Sequence, residues 1–509
     1  MYLLYPNTEP DNSFRNDEKT AETLKSLGVG RLLAVEERDL APLLSADSAV
    51  IRRRQALFQD LDRSPALTEI LHRLYEYLKN IREMAQKRAG LGQTAEDVLY
   101  SFGEVSLFIG MIRDISEALE AAEPASDALK ELSALLHEIA ADPQFAEIED
   151  YVAKLAESRN VARSITLGVN LDAGFGVKEV GVVSVNDDRY TVSDLFTAIF
   201  GKKRQDGALV CMTPLVGGEK TRGLEQAVYI ALNSYLLKAF VRARTVLLGY
   251  ISSVISGVTP LMDELTFILR GADWMKDLRD RGAAFCFPET GGRMLRMKGC
   301  WNPALLKKTD YKSIVPSDVS ADGETTILLV TGPNSGGKSV FLKSVGISAV
   351  LAALGLPVCA KKAELPLFTR ILTHFPAQDS EEESRLVEEC RAMRDLLDRT
   401  DDGTLLLMDE SFSGTAAEEG AVIAGEVLQI IRDSRAFCLY STHLHALASA
   451  EAVERFNRGS PKLKTLSAEY RDGERTYRIV EQAAAGLSHA YEIAERFGLR
   501  YEKAKQSLA

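Results

Sequence analysis

The sequence is poor in the features that mark secreted, membrane-spanning or broadly nucleic-acid-coating proteins. Only six of its 509 residues are cysteine (Cys211, Cys286, Cys300, Cys359, Cys390 and Cys438), and none forms a C-x-x-C pair. That spacing excludes a disulfide scaffold and the common zinc patterns, and predicts reduced thiols in a cytoplasmic protein. No apolar run reaches the roughly 18 residues of a membrane-spanning helix. The nearest stretch, residues 246–262, is broken by Ser252, Ser253, Ser256, Thr259 and Pro260. The opening residues meet Glu9 and Asp11 too early for a signal peptide, so no membrane partner is expected. Basic residues are outnumbered, 61 against 73 acidic, for a net charge of −12. A cationic coat over the whole surface is thereby excluded, though local basic stripes are not. Internal repeats and low-complexity segments are also missing.

What remains is an ordinary globular composition, 46% hydrophobic and 26% charged. Its length predicts two to four domains at about 150 residues each. Residues 1–40 read as a mixed N-terminal segment with one short helix near residues 17–27. Residues 41–163 read as long helices, with apolar positions recurring at helical spacing in Leu67, Ile70, Leu71, Leu74, Tyr77, Leu78 and Ile81. Residues 164–222 turn to strand character at 164–171, 180–185 and 208–212, and contain the basic cluster Lys202-Lys203-Arg204. Helix resumes over 223–282. Two helical arms around a small β-containing tip suit a lever. From 283 to 509, strands and helices alternate, the pattern of a mostly parallel sheet.

Within this last region lies Gly332-Pro333-Asn334-Ser335-Gly336-Gly337-Lys338-Ser339, a complete G-x-x-x-x-G-K-[ST] motif between a predicted strand and a predicted helix. Its glycines let backbone N–H groups face phosphate oxygens, and the helix N-terminus adds positive potential. Lys338 is expected to reach the terminal phosphates and Ser339 to ligate Mg²⁺; the ATP-binding set runs from Gly332 to Val340. A buried strand, Leu405-Leu406-Leu407-Met408, ends in Asp409-Glu410. These carboxylates suit metal coordination by Asp409 and polarisation of an attacking water by Glu410. A third strand ends in Ser441-Thr442-His443, whose imidazole could hydrogen-bond the γ-phosphate.

Together these motifs resemble the MutS family of DNA mismatch-repair ATPases. Residues 331–339 are similar to its T-G-P-N-x-x-G-K-S, and Asp409-Glu410-Ser411-Phe412-Ser413-Gly414-Thr415 to its D-E-x-x-R-G-T. Residues 441–447 resemble T-H-x-x-E-L, and 486–494 resemble G-x-x-x-S-Y-G-I-x-V-A. The resemblance implies a multidomain fold: all-α core and lever helices with a small β-containing clamp tip, followed by an α/β P-loop ATPase domain of ABC type. It implies ATP and Mg²⁺ as cofactors, Asn334 as a nucleotide contact, and Ser384 as the signature serine that reaches the nucleotide of a partner subunit. A homodimer joined through the ATPase domain follows. Two positions depart from the family pattern: Glu381-Glu382-Glu383 precede Ser384 where glycines are usual, and Ser413 replaces an arginine.

The expected function is that of a DNA-associated ATPase whose nucleotide state opens and closes a clamp in repair or recombination control. Helices beginning near residue 40 leave no room for a mismatch-reading domain, so a shortened relative is expected. Lys202, Lys203 and Arg204 are the first candidates for DNA contact, followed by Arg52-Arg53-Arg54 and by Lys238, Arg242 and Arg244. The alternatives are a ribosome- or protein-remodelling ATPase, with a ribosome or larger repair partner, and a nucleotide-binding scaffold with negligible hydrolysis.

Overall fold

The structure, a computed structural model, describes residues 2–6, 12–89, 95–161, 164–174, 177–186, 260–333, 336–375, 382–471 and 474–482. The described residues form two compact units. One holds those between Glu69 and Pro124 and between Lys130 and Met262; the other holds those from Tyr2 to Thr68, Ala125–Leu129 and those from Asp263 onward.

The chain begins with four helices, α1 (Glu18–Leu27), α2 (Val29–Leu33), α3 (Glu37–Leu40) and α4 (Ser48–Arg63). The start of α1 is fixed by a capping box. Asp17 accepts from the Lys19 N–H, and the Thr20 hydroxyl accepts from the Asp17 N–H.

The helical unit is built from α5 (Pro65–Ala89), α6 (Ala95–Ala122), α7 (Asp127–Ala141) and α8 (Pro143–Val161). Leu71, Leu74 and Leu78 of α5, with Phe108, Ile112 and Ile115 of α6, are buried at the spacing expected of one apolar face. Phe108 meets Phe145 of α8 edge-to-face at 6.4 Å, and Arg113 lies 5.3 Å over the Phe145 ring while gripping Glu149 with two N–H groups. Beyond these helices, β1 (Ser164–Leu171) and β2 (Val177–Asn186) pair antiparallel from Ser164 opposite Asn186 to Leu171 opposite Val177. The third expected strand (208–212), the helix over 223–259, the cluster Lys202–Arg204, and Lys238, Arg242 and Arg244 lie outside the described residues.

In chain order the second unit continues with α9 (Pro260–Asp280), β3 (Glu289–Thr290), β4 (Leu295–Cys300), β5 (Ser317–Ala321) and β6 (Thr325–Thr331). There follow α10 (Lys338–Ala353), β7 (Lys362–Leu365), β8 (Arg370–His374), α11 (Glu382–Asp398), β9 (Thr404–Asp409) and α12 (Ala417–Ser434). The remaining elements are β10 (Phe437–Ser441), α13 (Ala450–Phe456), β11 (Lys462–Arg471) and β12 (Glu474–Glu481). Six strands form one sheet in the order β12-β11-β6-β10-β9-β8, parallel except for the edge strand β12. Its central strands are almost wholly apolar, as required of strands covered on both faces. A second sheet, ordered β3-β7-β4-β5, was not expected from the sequence. The molecule is therefore multidomain, with helices and mixed sheets. No described helix is long and apolar enough to cross a membrane.

The compact units are divided differently from the sequence-based boundaries at residues 40 and 282. Residues 2–68 and most of α9 belong with the α/β unit. Leu27 of α1 sits against Gly346 of α10, and Phe58 of α4 meets Phe267 of α9 at 5.8 Å. The reading of Arg52–Arg54 as a DNA-facing stripe is corrected for two of the three. Arg54 is fully buried, stacked 4.9 Å from the Tyr5 ring centre, and donates to the Leu4 and Leu43 carbonyls. Arg53 donates to the Leu3 and Tyr2 carbonyls. Their cations are consumed by the N-terminal backbone; only Arg52 is exposed.

Candidate functional site

Parallel register brings three strand ends side by side. Ser441 of β10 stands opposite Val330 of β6 on one side and Asp409 of β9 on the other. The ladder continues past both strands, since the Glu410 N–H donates to the Ser441 carbonyl at 2.8 Å and the Thr442 N–H to the Val330 carbonyl at 3.0 Å. The residues that follow these strands, Gly332, Glu410 and His443, must therefore share the carboxyl edge of the sheet, where open α/β sheets hold ligands.

The loop between β6 and α10 needs its glycines for two reasons. Gly332 (φ +124°) and Gly337 (φ +92°) adopt backbone conformations that side chains disfavour. The loop is also pressed by the β11–β12 hairpin: a Cβ on Gly332 would lie 2.9 Å from the Ala468 Cβ, and one on Gly336 3.0 Å from the same atom. Among the described residues of the motif, Pro333 is half-buried, and Lys338 and Ser339 open α10. Asn334 and Ser335 lie outside the described residues. Val340 presents an exposed side chain, and its carbonyl accepts from the Asn302 amide at 3.2 Å and the Ser344 hydroxyl at 2.7 Å. Its contribution to the geometry is to anchor the first turn of α10.

Lys338 is 4% exposed and donates to the Gly332 carbonyl at 2.8 Å and the Pro333 carbonyl at 3.2 Å. Burial pushes its pKa below the ordinary lysine value, against the opposing pull of Glu410 and Asp409. Its Nζ is 3.4 Å from His443 Nε2, which in turn lies 2.7 Å from Glu410 Oε1. With Nε2 donating to the carboxylate it cannot also accept from the Lys338 ammonium, so the 3.4 Å approach is a contact and not a hydrogen bond. Asp409 Oδ1 is buried without a hydrogen-bond partner, and such an atom is costly to leave unpaired. The neighbouring Ser441 Oγ is in the same position. A carboxylate oxygen buried in this way fits a hard divalent cation such as Mg²⁺. Among the described residues, no group of three or more His, Cys, Asp or Glu side chains is arranged to hold a metal by itself. Coordination by Asp409 and Ser339 would thus have to be completed by water or phosphate oxygens.

After Glu410 the backbone is strained. Glu410 (φ 56°) and Phe412 (φ 63°) are both left-handed without being glycine, at a cost of about 1–2 kcal/mol each. Three side chains hold this turn: Tyr440 donates to the Ser411 carbonyl at 2.5 Å, His374 Nδ1 contacts the Ser411 hydroxyl at 2.7 Å, and Glu389 accepts from the Phe412 N–H at 2.7 Å. Burial holds His374 down at about 4, so its imidazole is neutral near pH 7.

The loop borders a cavity of about 370 Å³ shared by Lys338, Ser339 and Glu410 with Trp301, Ile314, Val315 and Tyr477. Sequence reasoning missed these wall residues, and also Glu389 and His374, because none falls in a motif or a periodic pattern. Only their proximity in the fold reveals them. Ser384 falls in the first turn of α11.

Carboxylates, a lysine and glycine-bent backbone gathered at a strand–loop–helix junction form the class of site that receives a phosphate-bearing ligand. Comparison with known proteins finds likeness over the same part of the chain. Residues 328–503 match the family model of MutS domain V, so this stretch of the chain is similar to the MutS family. The DNA mismatch repair protein MutS of Staphylococcus haemolyticus is 33% identical over 163 residues, 31% of this chain and 18% of that relative. That of Geobacillus kaustophilus is 31% identical over 213 residues, 41% and 23% of the two chains. That of Thermus thermophilus is 31% identical over 223 residues, 43% and 26%. The matched part of the chain thus spans only about a fifth to a quarter of the length of the relatives it matches.

Proposed function

We propose that this chain is a MutS-like, DNA-associated ATPase that binds and hydrolyses ATP with Mg²⁺ at the carboxyl edge of the six-stranded sheet. The observation that carries this reading is the convergence of three separate strand ends on His443, whose Nε2 lies 3.4 Å from Lys338 Nζ and 2.7 Å from Glu410 Oε1. The cavity of about 370 Å³ is of ligand-binding size, and its apolar wall at Trp301, Ile314 and Val315 would take the nucleotide base.

Phosphate oxygens would replace the loop carbonyls as partners of the Lys338 ammonium, and the N–H groups at the start of α10 would face the same oxygens. Asp409 and Ser339 would hold Mg²⁺, which when bound supplies neutralisation of phosphate charge. Glu410 would accept a proton from an attacking water, and His443 would steady that carboxylate through the 2.7 Å contact. Ser384, in α11, would complete the site of a second copy in a homodimer. The names of the relatives speak for DNA as the partner and lend no support to a ribosomal role. The nucleotide-driven clamp, and DNA contact by Lys202–Arg204, complete the reading.

ATP affinity and turnover in the wild type, Lys338→Ala and Glu410→Gln test it. Lys338→Ala should lose about 100-fold in affinity, two charge-assisted hydrogen bonds' worth. Glu410→Gln should bind ATP normally and turn over at background. Turnover at the wild-type rate in Glu410→Gln would sink the assignment. Duplex and branched DNA binding should weaken steeply with salt, and neutralising Lys202–Arg204 should flatten that dependence.

A further inference from the structure

The turn that carries Glu410 is gripped from two directions. Tyr440 on β10 and His374 on β8 hold Ser411 to the sheet, through its carbonyl and its hydroxyl. The third hold, on the Phe412 N–H, comes from Glu389 in the middle of α11, the helix whose first turn contains Ser384. Glu389 is 6% exposed, and its second carboxylate oxygen is buried with no hydrogen-bond partner. A buried carboxylate is expensive, and core packing alone would be served better by an apolar side chain. What the carboxylate supplies is one short hydrogen bond to Phe412, which lies two residues past Glu410 and shares its left-handed backbone.

Resting on the ATPase reading above, we propose that Glu389 is a positioning residue that links α11 to Glu410. Any displacement of α11 is passed through the Glu389–Phe412 hydrogen bond into the strained turn, and so to the group that activates water. His374 and Tyr440 keep the turn registered on the sheet while Glu389 sets its tilt. The signature helix and the hydrolytic carboxylate are then one mechanical element, although residues 389 and 410 are distant in sequence and belong to different secondary-structure elements.

The test compares wild type, Glu389→Ala and Glu389→Gln by steady-state hydrolysis, ATP affinity, and amide hydrogen exchange over residues 410–413 with and without a non-hydrolysable ATP analogue. Glu389→Ala should lower kcat about tenfold, the loss of one hydrogen bond felt in the transition state, with ATP affinity unchanged within about threefold. Glu389→Gln keeps an oxygen for the Phe412 N–H and should recover most of kcat. The analogue should slow exchange at residues 410–413 in the wild type and Gln forms but not in the Ala form. Unchanged kcat in Glu389→Ala, equal losses in the Ala and Gln forms, or analogue protection that persists in the Ala form would overturn the link while leaving the ATPase reading intact. If the wild type binds ATP without hydrolysing it, hydrolysis fails as a reading and the exchange arm alone decides the link. No ATP binding at all overturns both.

Discussion

Glu264 and Lys338 are both charged groups almost removed from water, 5% and 4% exposed, and both lie in the α/β unit, yet their surroundings differ in kind. Glu264 accepts from the backbone N–H groups of Leu3 and Leu4, and the nearby Arg54 donates to the Leu4 and Leu43 carbonyls. These partners are main-chain atoms, so the two side chains serve to fix the N-terminal segment against α4 and α9. Lys338 also donates to main-chain carbonyls, those of Gly332 and Pro333, but it meets in addition a histidine from another strand end that contacts Glu410, and among these side chains an aspartate oxygen lacks a hydrogen-bond partner. Charges spent on fixed backbone make an anchor. Charges gathered on one another, with one atom left over, make a site.

The comparison can be broken at three points, in falling order of effect. Arg54→Leu should cost the most, about 4 kcal/mol in urea denaturation of the α/β unit, because it strips the Leu4 and Leu43 carbonyls of their donor and removes the cation with the larger pull on Glu264. The same measurement on Arg52→Leu, an exposed neighbour, should move stability by no more than about 0.5 kcal/mol.

The second point is pH. Burial pushes the Glu264 carboxyl up to about 7 from an ordinary 4.5, against the pull of the Leu3 and Leu4 N–H groups and of Arg54 and Arg53. The folded state thus holds this proton more tightly than the unfolded one. The group's contribution to stability is complete below pH 4.5 and is lost as pH rises through 7. Between pH 5 and 8 that loss should amount to about 3 kcal/mol, and Glu264→Gln should abolish it while keeping an oxygen for the two N–H groups. An identical pH slope in the Gln variant would show that the carboxyl is ionised in the folded protein.

Of the three buried groups, the smallest effect on stability is expected at the site itself. Lys338→Ala removes a desolvated cation whose hydrogen-bond partners are loop carbonyls, and should change the unfolding free energy by less than about 1 kcal/mol while weakening nucleotide binding about 100-fold. A large destabilisation would make Lys338 an anchor like Arg54.

Much of the site could be read locally. The strand over residues 325–331, the glycine-rich loop and the helix opening at Lys338 sit where the motif and the apolar run put them. Asp409 closes β9, and His443 follows β10 by two residues. These features are encoded within a few residues, by runs of Ile, Leu and Val followed by glycine or carboxylate. What could not be read depends on distant partners. Arg53 and Arg54 look like solvated helix charges until carbonyls 50 residues earlier close over them. The assignment of residues 2–68 to the α/β unit has no local signature either, because Leu24 and Leu27 of α1 would read the same against any apolar surface. The second sheet escaped for another reason. Its strands are two to six residues long, and the sequence reading set no strands between residues 283 and 324.

The contact between the loop and the β11–β12 hairpin carries a consequence for how the motif should be defined. Ala468 touches the space above both Gly332 and Gly336, and the Tyr477 carbonyl lies 3.3 Å from where a side chain on Gly337 would begin. A larger residue at 468 would intrude on the phosphate loop as surely as a substitution within it, and no change confined to the glycines could make room. The eight-letter motif is therefore an incomplete spelling: its remaining letter is a small residue at position 468, supplied by a strand near the other end of the chain.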